Sequence, residues 1–140
     1  MTKLALVFLL IAPALVSAQN RANFPWWNSP VTQELGLSAA QGQRIHQIVR
    51  SYRDRLLDAR NNALKAEGDL EDVLNSPAIN PNEAKTAIDR VASARANSSR
   101  VFLEMSIKLR SVLTLDQWRQ LVRRWDEMQR KKPSDTQVEP

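Results

Sequence analysis

The hexapeptide LTLDQW, residues 113–118, sets a leucine before a hydroxyl residue and a glutamine three positions after it; LSAAQ, residues 37–41, repeats that order 76 residues earlier. Ser or Thr followed three residues later by Gln is a capping box. The hydroxyl accepts from the backbone N–H of the third helical residue, and the glutamine side chain returns a bond to the N–H of the cap. Each copy therefore predicts a helix start, with Ser38 and Gln41 opening one and Thr114 and Gln117 opening another. In the second copy Leu113 precedes the cap and Trp118 stands at the fourth helical position, a hydrophobic staple. The first copy has Leu37 in front but Gly42 at the staple position, so its staple is absent.

Outward from these boxes the chain reads as helix throughout. It has three glycines in 140 residues and long stretches rich in Ala, Leu, Arg, Gln and Glu, with no alternating strand pattern. From about Ala39 to Asn75 an apolar stripe recurs at steps of three and four, through Ile45, Val49, Tyr52, Leu56, Ala59 and on to Leu74. NSPAINPNE ends that helix, since Pro77 cannot continue it; Asn80 can cap the next, with Pro81 in its first turn. A second long helix is expected over Pro81 to Val112, striped at Ala84, Ile88, Val91, Ser98, Phe102, Met105 and Leu109. A third should cover Leu115 to Arg130, and Ser29 with Pro30 should open a short helix ahead of the first box. Trp118 and Trp125, seven apart on one helix face, read as core.

The first 18 residues, MTKLALVFLLIAPALVSA, pair an early lysine with a short apolar run and small residues before Ala18. They read as a secretory signal peptide cleaved after Ala18. The expected organisation is signal peptide 1–18, N-terminal tail 19–28, helical domain 29–130 and C-terminal tail 131–140. The chain has no cysteine, so disulfides take no part in its stability, and the expected address is a bacterial periplasm. There are 20 Lys and Arg against 15 Asp and Glu. Such a balance ordinarily points to nucleic acid, but export argues against it and leaves anionic lipid or acidic and unfolded protein as partners. Stable membrane insertion is not expected.

Two leucine-led boxes, ELGLSAAQ and VLTLDQW, in an exported, cysteine-free, all-helical chain resemble the LTxxQ family of periplasmic proteins over roughly Trp26 to Met128. Spy- and CpxP-type chaperones and stress proteins belong to it, as do heavy-metal resistance proteins of the CnrX and ZraP type. Ser38 departs from the usual threonine. The resemblance implies an all-α fold, an elongated bent helical hairpin of about four helices that forms a homodimer. It implies an ATP-independent chaperone or envelope-stress role; the alternative is a heavy-metal sensor or resistance protein, and a third reading is an adaptor for a membrane stress-sensor domain.

Catalytic chemistry finds little in this chain: one histidine, no cysteine and no phosphate-binding glycine loop. No catalytic residue and no cofactor is expected. Metal-binding relatives carry histidines one helical turn apart and a later His-x-x-x-Met. Here Gly42 and Arg50 flank His46, and Val101 precedes Met105, so His46, Glu104 and Met105 are weak ligand candidates only.

The remaining candidates concern surfaces for clients or for a second copy. Trp26 and Trp27 offer either a client patch or a cover for the open end of the bundle. Arg95 falls in the expected stripe of the second long helix, so it either pairs with Glu67 or lines a wet groove. Leu57 and Leu64 sit about 100° to 120° around from the stripe of the first long helix, candidates for a second apolar surface. That surface would serve a homodimer, unfolded or misfolded envelope proteins, or the C-terminal helix packed over it.

Overall fold

The computed structural model describes residues 24–131. A single 3-10 turn, Trp26–Asn28, leads into α1 (Val31–Glu34), α2 (Ala39–Leu74), α3 (Pro81–Val112) and α4 (Leu115–Lys131). The fold is all-α. Helices α2 and α3 lie against each other as a hairpin of about 54 and 48 Å, at 1.5 Å per residue. The expected signal peptide and most of the C-terminal tail lie outside the described residues.

Each long helix begins where its cap dictates. Ser38 is extended and its hydroxyl accepts from the N–H of Gln41. Asn80 is likewise extended, its Oδ1 accepting from the N–H groups of Asn82 and Glu83, and Pro81 follows where no donor is needed. Gly36, at φ 63°, supplies the left-handed step between the end of α1 and the first box.

The core is concentrated at one end of the hairpin. Trp26, Val31 and Leu35 meet Ile45, Ile48 and Tyr52 of α2, Met105 and Leu109 of α3, and Leu121 of α4. Toward the tip the buried residues between the long helices are Ala66 of α2 with Ala87 and Val91 of α3. The proximal half is thus a multi-helix core, and the distal half is a two-helix hairpin zipped by alanines.

Several sequence expectations shift by one residue. On α2 Ile48 is buried and Leu74 is exposed; on α3 Ala87 and Val101 carry the seam while Ile88 is 55 % exposed. Long stripes drift around a helix whose period is 3.6, so a pattern stepped by hand slips to the next residue. Trp118 and Trp125 are half-buried rather than core. The domain begins earlier than Ser29: Trp26 is 4 % exposed, and Phe24 lies against Trp125 with ring centroids 4.1 Å apart. Residues 24–28 are therefore part of the fold and not tail. At the other end α4 reaches Lys131.

Candidate functional site

The two capping boxes meet. Gln41 and Gln117 each complete their own box, Gln41 Oε1 accepting from the N–H of Ser38 at 2.9 Å and Gln117 Oε1 from that of Thr114 at 2.9 Å. Each amide then reaches across. Gln41 Nε2 donates to Gln117 Oε1 at 2.8 Å, and Gln117 Nε2 donates to Gln41 Oε1 at 3.2 Å. The remaining N–H of each glutamine finds a carbonyl in the chain ahead of the other box, Val112 for Gln41 (3.0 Å) and Leu35 for Gln117 (3.4 Å). Four otherwise orphaned backbone groups are satisfied by two side chains, a clasp that joins the starts of α2 and α4.

This clasp was missed by reading each box on its own. The signal was available: Ser38 and Thr114 are equally far from residue 76, which lies in the turn between the long helices, so closing the hairpin superposes the boxes. Leu37 and Leu113 pack on the proximal core beside them, as does Trp118. Arg110 holds the turn into α4, donating to the carbonyl of Leu113 at 3.2 Å and lying 5.1 Å from the Trp118 ring. Arg124 ties α4 to α1 through Glu34 at 2.7 Å.

The aromatic pair splits in role. Trp26 fills the open end of the bundle, whereas Trp27 is half-buried between Trp26 and Phe102, each 5.9 Å away. Only Trp27 offers surface.

The metal-ligand candidates are not brought together. His46 is exposed on α2, Met105 is 1 % exposed in the core, and Glu104 accepts from Arg55 at 3.0 Å. That bond to Glu104 holds the Arg55 guanidinium above its ordinary pKa. Among the described residues no group of three or more His, Cys, Asp and Glu gathers.

Arg95 lies beside the α3 seam rather than on it, because Ala94 takes the inward position. Its Nε donates to Glu67 at 2.8 Å in an exposed pair linking the distal halves of α3 and α2. Leu57 and Leu64 are 54 % and 56 % exposed, so α4 does not cover them. Leu103 and Ile107 on α3, which the stripe reading passed over, are also exposed.

A hairpin of two long helices, closed at its base by paired capping boxes, is the architecture here. The chain belongs to the heavy-metal resistance family, whose model matches residues 3–120. Comparison with curated proteins gives no match, and neither does comparison with solved structures. No helix among the described residues is long and apolar enough to cross a membrane.

Proposed function

We propose that this chain is an exported, non-catalytic periplasmic protein of the Spy and CpxP type. It holds unfolded or aggregation-prone envelope proteins without ATP and works as a homodimer. The observation that supports this reading is the set of large apolar side chains left in solvent on a thin hairpin. Leu57 and Leu64 stand on α2 as the surface for a second copy, and Leu103 and Ile107 stand on α3 as the surface for clients, both pairs beside exposed basic residues. Apolar side chains rimmed by cations suit loose, reversible capture of unfolded segments. The test is suppression of aggregation of a denatured substrate by the purified mature protein at near-stoichiometric ratio, run with and without a chelator. Suppression indifferent to the chelator supports the reading; no suppression at several-fold excess overturns it.

The second reading, a heavy-metal sensor or resistance protein, is favoured by the family description itself. In this chain it would draw on His46, Glu104 and Met105, of which Glu104 is engaged by Arg55 and Met105 is enclosed. Chelator-sensitive activity would move the assignment to it.

A further inference from the structure

Along one flank of the hairpin, α2 and α3 set three residue pairs opposite one another: Arg55 with Glu104, Asn62 with Asn97, and Asp69 with Arg90. On each helix the members are seven residues apart, close to two turns, so the pairs stand above one another as rungs. The first rung is closed by the 3.0 Å bond of Arg55 to Glu104. The other two are open. Asn62, Asn97, Asp69 and Arg90 have no side-chain hydrogen bond or ion pair among the described residues, although Asp69 is half-buried. Between these rungs lies a groove of about 430 Å³, and a second of about 360 Å³ continues it past Asp69 and Arg90 to Val73 and Asn82. On the other flank, near the same height, Arg95 and Glu67 bind the helices together at 2.8 Å.

The lining of the groove limits what it can accept. Its deepest residues are Ala66, Ala87 and Ala94, so the floor is smooth and holds no pocket for a large side chain. Lys65 and Arg90 are balanced by Asp69 and Glu83, an arrangement that does not favour a polyanion. No aromatic ring lines it, so a sugar face has nothing to stack on. What the walls do offer is donors and acceptors together: two primary amides, the Ser93 hydroxyl, a carboxylate and a guanidinium. An extended polypeptide presents N–H and C=O groups along both edges and needs such a mixture. From Asn62 to Val73 α2 rises about 17 Å, the span of about five extended residues. We propose that this groove holds an extended main-chain segment of an unfolded client. The amides of Asn62 and Asn97 bond its peptide groups on opposite edges, Asp69 accepts from a further N–H, and Arg90 donates to a further carbonyl. The closed Arg55–Glu104 rung stops the segment at the proximal end. Small residues in the client suit the alanine floor, and main-chain recognition makes the slot tolerant of sequence.

This slot rests on the client-holding reading and adds a polar contact to the apolar one at Leu103 and Ile107. Amide NMR of the mature protein and the aggregation assay test the two separately. The probe is an acetylated, amidated hexapeptide of Ser, Ala and Thr, with its fully N-methylated form as control. The plain hexapeptide is expected to shift the side-chain amide signals of Asn62 and Asn97, and the N-methylated one, which has lost its N–H donors, to bind about tenfold more weakly. Asn62→Arg with Asn97→Glu repeats the Arg55–Glu104 bridge one rung further out. It is expected to abolish the peptide shifts and to require several-fold more protein for the same suppression of aggregation. Asn62→Asp with Asn97→Asp keeps the shape but removes both amide donors, and is expected to weaken the hexapeptide about tenfold even if the bridged variant folds poorly. Shifts confined to Leu103 and Ile107, or equal binding of the two peptides, overturn the slot. A folded bridged variant that suppresses aggregation as well as the wild type overturns it too, and leaves the chaperone reading standing. A chitin tetrasaccharide that shifts the Asn62 and Asn97 amides where the hexapeptide does not overturns it in favour of a glycan. A wild type that suppresses no aggregation removes the chaperone reading, and the client with it.

Discussion

Gln41 and Gln117 exchange amide bonds, 2.8 Å in one direction and 3.2 Å in the other, so the cap of α2 and the cap of α4 are parts of one hydrogen-bonded unit. A glutamine suits this place because it both donates and accepts, and each of the pair uses both functions.

Replacement by glutamate separates the clasp from ordinary capping. In a lone capping box Glu serves as well as Gln, and its charge favours a helix N-terminus. Gln117→Glu removes the donor that serves Leu35 and Gln41 and sets a carboxylate against Gln41 Oε1. It is expected to destabilise the fold by about 1 kcal/mol or more in urea unfolding, where capping alone predicts no loss.

Thr114→Ala removes the hydroxyl that accepts from the N–H of Gln117. Stability is expected to fall by about 1 kcal/mol, with α4 loosened and client holding by the long hairpin retained. Unchanged stability with lost holding activity would make the motif a contact site instead.

Leu57→Glu together with Leu64→Glu places charge at two exposed apolar positions on α2. Light scattering of the wild-type mature protein is expected to give twice the monomer mass at micromolar concentration, and the double variant should shift toward monomer. An unshifted dimer would place the interface on another face.

Calorimetry of the tag-free mature protein with zinc, copper, nickel and cobalt is expected to show no site tighter than micromolar. His46 stands exposed on α2, with Gly42 and Arg50 one turn to either side. A submicromolar stoichiometric site abolished by His46→Ala is the result that promotes the metal reading.

Amide exchange should divide the hairpin. Protection is expected to be greatest around Ile48, Tyr52, Met105 and Leu109, where several elements converge, and to fall toward Ala66 and Ala87, where two helices touch through small side chains. Ala66→Leu is expected to cost about 1–3 kcal/mol by forcing the long helices apart.

The helices and their starts were legible because caps are local. Ser38, Asn80 and Thr114 each signal through residues within four positions, and α2, α3 and α4 begin where those signals say. The inward face was read less well. Stepping an apolar stripe along thirty residues took Ile88 for Ala87 and passed over Ile48, because alanine and isoleucine compete for a seam whose width only the partner helix determines. The same slip put Arg95 on the seam, though its bond to Glu67 followed from their shared place along the hairpin. The assignment of residues 19–28 to a tail failed at Trp26. Nothing within ten residues tells a tryptophan that it will cover the open end of a bundle built by α2, α3 and α4.

The clasp also decides how the molecule can move. It fixes Leu35, Ser38, Val112 and Thr114 at one spot, and the intervening chain runs out to the Asn80 turn and back, so the two long helices are tied at both ends, by a rivet at the base and by the chain itself at the tip. Parting the helices along the alanine-lined stretch between these ties breaks small contacts and leaves the rivet, the turn and the aromatic end untouched. Local opening is then confined to the stretch between the two ties, and the helices re-close without having to find each other again.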